Sequence, residues 1–249
     1  MDEERRGLET VWSEENLSDF FQRIAADFDT NLIVGDRYLM LLSGLGTTLV
    51  IALGAAIIGT ILGTVIALMR ISTWKPFKRV YPLRVLASAY VDLIRGTPVV
   101  VQLMIMYYII LASTSLSREL IALISFGVNS AAYVSEMVRS GILAIDKGQT
   151  EAGRSLGMSH LQTLVLIVLP QSIQVILPNL FNEFIMLLKE TSVVGFIGLM
   201  DLTKAGDFIR SRTYSAFFPL ITVAFIYFTL ITLLTRVFTS VEKKLRMRD

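Results

Sequence analysis

Two groups of polar residues carry whatever chemistry this chain has. With one histidine, His160, and no cysteine, thiolate metal sites, disulfide frameworks and Cys/His nucleophiles are excluded. The first group is the stretch Asp146–Gln162. The second is Gln171, Gln174, Asn179, Asn182, Glu183, Lys189 and Glu190, set within or at the end of an otherwise apolar run from Leu161 to Leu188. Amides and carboxylates facing lipid are costly, so this second group needs a shared shelter. At about 100° per helical residue, Gln171, Gln174, Pro178, Asn182 and Lys189 fall together, with Asn179, Glu183 and Glu190 on the same half. One side of that helix is therefore wet or protein-facing. It is read either as a wall of a translocation cavity or as a set of interhelical hydrogen bonds. An ionisable Glu183 inside a span favours the cavity, and Pro170 and Pro178 could bend the helix as a gate requires.

The elements that must position these groups are membrane spans. The chain is 53% hydrophobic and 18% charged, with mean hydropathy +0.62, well outside the range of ordinary soluble domains. Gly44–Met69 holds no ionisable side chain and exceeds the roughly 20 residues a helix needs to cross the bilayer core. Further apolar segments near Val85–Ala112, Leu120–Ala144, Leu161–Leu188 and Ala216–Phe238 predict five transmembrane helices in an all-α, polytopic membrane protein. The first connection carries Arg70, Lys75, Lys78, Arg79 and Arg84 without an acid, which places it in the cytoplasm. The N-terminus then lies outside, and the basic tail around Lys243, Lys244, Arg246 and Arg248 lies inside.

Residues 1–37 form an N-terminal arm before a transmembrane domain over 38–249. The arm has ten acidic residues against four arginines. Leu17, Phe20, Phe21, Ile24 and Phe28 share one helical face after a start at Ser13, so an amphipathic helix on the outer surface is expected. No cleavable leader is expected, because the N-terminus is acidic rather than basic. Asp92 and Arg95, three apart, could neutralise each other on one helix, or Arg95 could snorkel. Glu136 and Arg139 repeat the spacing as a structural pair. Tyr107, Tyr108, Tyr214, Phe217, Phe218 and Tyr227 read as interfacial anchors rather than a substrate cage.

The loop over 146–162 is polar but helix-forming. Gly157 suits a left-handed helix end, and Ser159 with Gln162 forms a capping box that opens the next helix. Taken alone, the pattern gives a helix–turn–helix that either connects two spans or engages a soluble partner. Glu151-Ala152-Gly153, three residues, Gly157, nine residues, then Ile167-Val168-Leu169-Pro170 resembles the EAA signature of ABC importer permeases. It departs only at the second alanine, where Gly153 stands. Ala132-Tyr133, Glu136, Val138-Arg139, Gly141-Ile142, Arg95-Gly96-Thr97-Pro98 with Gln102, and Asn182-Glu183-Phe184-Ile185 resemble the polar amino acid uptake branch, which has a MetI-like membrane domain.

That resemblance implies a coupling helix made by Glu151, Ala152, Gly153 and Gly157, flanked by Gly148 and Gln149. It also implies a substrate path along the second polar group, joined by Thr191, Ser192, Arg95 and Gln102. The implied partners are two ATP-binding subunits holding ATP and Mg, a second permease chain, an external solute-binding protein, an amino acid and membrane lipid. No nucleic-acid partner, metal or cofactor is expected on this chain. It has no Gly-rich phosphate loop, so it is not expected to be an enzyme. Phe217-Phe218-Pro219 stands where relatives often place an acid, which leaves substrate charge open. The rival readings are a gradient-coupled secondary transporter using Glu183 or Glu136, and a non-transporting scaffold.

Overall fold

The computed structural model describes residues 24–72 and 81–246, together with Asp19 and Gln22. Most of the expected amphipathic arm, including Ser13, Leu17, Phe20 and Phe21, lies outside the described residues, as do Lys75, Lys78, Arg79 and Arg248.

The described chain is helical and has no strand. Helix α1 spans Arg37–Ile71, α2 Pro82–Arg95, α3 Val99–Ile105, α4 Arg118–Leu143, α5 Lys147–Ser155 and α6 His160–Thr163. Helix α7 spans Leu169–Glu190, α8 Leu202–Thr213 and α9 Phe217–Arg246. Wide π turns extend α3 over Met106–Ile110 and link α6 to α7 over Leu164–Val168. Four stretches are long and apolar enough to cross a membrane: Ile24–Ile71, Arg118–Leu143, His160–Ile197 and Phe217–Lys244.

The second expected span, Val85–Ala112, departs from a continuous helix. Pro82–Arg95 and Val99–Ile110 meet at 107°. Pro98 pushes Thr97 out of the helical region and offers no N–H of its own, so α2 ends at Gly96 and the chain turns. The Gln102 side chain then holds the corner. Its Nε2 donates to the Ile94 carbonyl at 2.7 Å, the Thr97 carbonyl at 3.1 Å and the Thr97 hydroxyl at 2.7 Å. Its Oε1 accepts from Asn129 of α4 at 2.9 Å.

Helix α4 is the axis of the domain. It buries side chains along its whole length, from Ile121 to Ile142. Helix α1 packs along it through a stripe of small residues, Ala52, Ala55, Gly59, Gly63 and Ala67, while Thr48 and Gly44, one and two turns earlier, meet Leu202 and Asp201 instead. Lipid gives helices no hydrophobic reason to associate, so close backbone approach and dispersion must hold them. Gly63 shows how close: a Cβ there would stand 2.8 Å from the Ala131 carbonyl oxygen.

Ahead of α1, a helical turn to Phe28 leads through a π turn, Asp29–Ile33, into Gly35 and Asp36, whose φ angles are +69° and +53°. The backbone breaks there before α1 begins. Phe28 packs edge-on against Phe218 at the start of α9, with ring centres 6.4 Å apart.

Candidate functional site

Helix α5 projects from the end of α4. Asp146 caps it by accepting the Gly148 N–H at 2.6 Å. At its far end Gly157, at φ +84°, donates to the Arg154 carbonyl, while Met158 donates to the Gly153 carbonyl at 3.2 Å. These are the paired bonds of a Schellman stop. The capping box forms as the sequence predicts: Ser159 N–H donates to the Gln162 side chain at 2.7 Å, and Gln162 N–H donates to the Ser159 hydroxyl at 3.2 Å.

The hairpin is fixed to α6 and α7 rather than hanging from them. Gly153 is buried, and a Cβ placed on it would stand 2.8 Å from Ile167 Cδ1 and 2.9 Å from Thr163 Cγ2. The glycine that departs from the EAA pattern thus sits where α5 lies tightest on the helix that follows. Gln171, grouped by the helical wheel with the cavity residues, belongs here instead. Its Nε2 donates to the Ile167 carbonyl at 3.0 Å and reaches Gln149 Oε1 at 3.3 Å. The outer face of the hairpin presents Gly148, Glu151, Ala152 and Gly157. Leu156, 83% exposed, stands among them. It is an exposed apolar side chain on a polar hairpin, and apolar character alone did not distinguish it in so hydrophobic a sequence.

The polar group on α7 divides between two neighbours. Asn182 and Lys189 are exposed together with Val175 and Met186. Glu183 turns the other way and is buried, accepting a 2.6 Å hydrogen bond from the Ser130 hydroxyl of α4. Asn179 donates to the Val175 carbonyl at 3.0 Å. It also lines a cleft of about 230 Å³ with Arg95, Tyr133, Glu136, Met137 and Ser140. Gln174 is exposed, and Glu190 is partly buried at the opposite end of α7. Thr191 is buried, its hydroxyl bonded to the Leu188 carbonyl at 2.9 Å. Ser192 opens into a separate cleft of about 300 Å³ with Gly195, Phe196, Thr203, Lys204 and Asp207. The group is therefore not one continuous wall. Pro178 sits inside α7 without ending it.

Asp92 and Arg95 do not form an ion pair. Both are exposed, and the Arg95 guanidinium instead lies 5.5 Å from the centre of the Tyr133 ring. Gln102 is engaged at the α2–α3 corner rather than aimed into a cavity. Glu136 pairs with Arg139, as the spacing predicts, and also with Arg70 of α1.

At the other end of the domain Asp201 caps α8, accepting from Thr203 N–H at 3.0 Å and Lys204 N–H at 2.9 Å. Burial pushes its carboxyl up, against the lowering effect of those backbone donors. Asp207, between Arg210 and Lys204, is held below the ordinary carboxylate range by hydrogen bonds from both.

A helical membrane domain with a broken second span and a rigid, exposed hairpin locked to the span after it is the architecture of an importer permease. The chain belongs to the family described as binding-protein-dependent transport system inner membrane component, whose model matches residues 59–247. It is 41% identical over 211 residues to the arginine transport system permease protein ArtQ of Bacillus subtilis (strain 168), covering 84% of this chain and 94% of that protein. It is 38% identical over 208 residues to the L-cystine transport system permease protein TcyB of the same organism, covering 83% and 86%.

Among solved structures, an amino acid ABC transporter crystallised with histidines superposes with TM-score 0.76 at 39% identity, covering 83% of this chain and 94% of that one. The MetNI methionine ABC transporter in an inward-facing form shares the fold, with TM-score 0.71 at 22% identity. This chain is thus a multi-pass inner-membrane permease subunit of an ABC importer, and ATP hydrolysis belongs to a separate subunit. Neither the gradient-coupled nor the scaffold reading has support from these comparisons.

Proposed function

We propose that two such chains, identical or closely similar, form the pathway of an amino acid importer that works by alternating access. Two ATPase subunits holding ATP and Mg would drive it, and a solute-binding protein on the outer face would supply the substrate. The substrate class rests on the relatives' names and on the amino acid transporter that this chain resembles over most of its length. The observation that carries the mechanism is the hairpin. Glu151, Ala152, Leu156 and Gly157 face outward for a partner, while Gly153 binds the same helix rigidly to Thr163 and Ile167. Motion imposed on α5 is then delivered to α7, whose exposed polar face supplies the substrate path.

The N-terminus lies outside and the C-terminus inside, supported by the acid-free basic segment from Arg70 to Arg84 and by the basic tail. Residues 1–37 act as an arm on the outer surface, joined to the permease domain where Phe28 meets Phe218 and Leu32 is buried among Leu202, Ala205 and Ile209. The test is the purified complex with its ATPase and binding protein in vesicles, screened against the amino acids for stimulated ATP hydrolysis. Stimulation by at least one amino acid is the expected result. Uptake that follows a proton gradient and survives removal of the ATPase would overturn the reading.

A further inference from the structure

On the hairpin side of the domain, the ends of α1 and α4 and the start of α2 enclose a cleft of about 340 Å³. It is lined by Arg70, Ile71, Arg84, Ser88, Arg139 and Leu143. Among the described residues the carboxylate that answers these three guanidinium groups is Glu136, bonded by both Arg70 and Arg139. Arg84 makes no ion pair among the described residues. Its Nε donates to the Arg70 carbonyl at 3.0 Å, and its Nη2 reaches the Ser72 carbonyl at 3.5 Å. The cleft therefore holds an excess of positive charge, with the Ser88 hydroxyl beside it.

Apolar surface adjoins this charge. Val85, Leu86 and Leu143 are 60%, 65% and 62% exposed. These residues stand at the ends of spanning helices, where acyl chains give way to phosphates. A site with several arginines, a hydroxyl donor and an apolar flank recognises a phosphate diester with lipid attached. Guanidinium groups bind phosphate oxygens through paired N–H donors, and basic pockets between spanning helices on the cytoplasmic side take anionic headgroups.

We infer that the Arg70–Arg84–Arg139 cleft is a binding site for the phosphate headgroup of an anionic phospholipid, its acyl chains lying along Val85, Leu86 and Leu143. This does not depend on which solute the permease carries. Only the assignment to the inner leaflet follows from the proposed orientation. The site would tie three helix ends together at the side where the ATPase acts, so that lipid composition bears on the rigidity of the coupling end.

The test uses the full complex in detergent, titrated with phosphatidylglycerol, phosphatidylcholine or inorganic phosphate. The readouts are melting temperature and lipid retained by native mass spectrometry. Phosphatidylglycerol is expected to raise the melting temperature and remain bound, and the other two are not. In Arg84→Gln the affinity for phosphatidylglycerol should fall about fivefold, as expected for one basic residue at an anionic surface. Arg84→Lys should keep most of it. Comparing the two lipids within each variant removes any general loss of stability. Equal retention of both lipids, unchanged selectivity in Arg84→Gln, or an equal shift from inorganic phosphate would overturn the inference. So would unchanged lipid binding with weakened ATPase association, which would make the cleft a protein contact.

Discussion

Replacing Gly153 by alanine restores the residue that the EAA pattern carries, yet the structure predicts that it impairs this protein. The new Cβ would lie 2.8 Å from Ile167 Cδ1, 2.9 Å from Thr163 Cγ2 and 3.2 Å from Thr163 Oγ1. Ile167 Cδ1 is the end of a flexible side chain and can give way. Thr163 is β-branched and buried, with its hydroxyl bonded to the Ser159 carbonyl at 3.0 Å, so it cannot rotate aside cheaply. Overpacking of this kind costs about 1–3 kcal/mol, while glycine to alanine within a helix gains about 1 kcal/mol. The net is about 0–2 kcal/mol against the seated hairpin, or up to roughly a thirtyfold shift toward an unseated one.

The assay is substrate-stimulated ATP hydrolysis by the reconstituted complex, normalised to permease content. Gly153→Ala should lower stimulation with normal membrane levels. Combining it with Thr163→Ser and Ile167→Val, which remove the two clashing carbons but keep the threonine's hydroxyl function, should restore it. If Gly153→Ala alone matches the parent, or if the triple variant stays as weak as the single, the hairpin is not held by this contact.

Gly157→Leu should uncouple ATP hydrolysis from substrate without lowering membrane insertion. The space around its Cβ is open, so the penalty is the left-handed backbone alone, about 1–2 kcal/mol. Gly157→Asn should retain more coupling, and equal coupling in both variants would remove the turn from the mechanism. Ser130→Ala leaves Glu183 buried without its hydroxyl donor and should cost about 1–3 kcal/mol, read as a lower melting temperature of the complex. No change in melting would mean that this bond does not hold α4 to α7. The depressed Asp207 carboxyl contributes stability above the ordinary carboxylate range of about 4, and that contribution is lost as pH falls through the lower folded-state value. Asp207→Asn should therefore flatten the acid side of the melting curve slightly, since the pair is largely solvent-screened; an unchanged slope would show that the arginine–lysine clamp contributes nothing.

The spans were legible because a bilayer demands long apolar runs. The hairpin was legible because its stops are local chemistry: a glycine needed at positive φ, and a serine and glutamine three apart. The break in the second span was harder to read. Arg95-Gly96-Thr97-Pro98 lies within a hydrophobic stretch whose total length suits one crossing. Whether a proline bends a helix or ends it depends on what replaces the lost bonds. Here the replacement is Gln102, which bonds across the corner and to Asn129 of a different helix. A sequence gives that amide's position but not its partners.

The polar group on α7 failed to be one wall for a related reason. A helical wheel gives each residue an angle, but the angle acquires meaning only from the neighbour it faces. Asn182 and Glu183 are about 100° apart, enough for one to look outward and the other into α4. Gln171 sits at the correct angle but at the end of the helix, where Gln149 is the nearer partner.

These placements bear on how a push could travel. Helix α5 meets α4 through the short joint Ala144–Asp146, whereas it meets the start of the following span through Gly153, Gln149 and the Schellman turn. In the proposed mechanism a load on Glu151 or Leu156 would therefore reach α6 and α7 before α4. The Ser130–Glu183 bond then decides whether α7 carries α4 with it or slides past. If it carries α4, Ser130→Ala and Gly153→Ala disturb one path, and their effects on coupling should be less than additive. If α7 slides, the two changes should add.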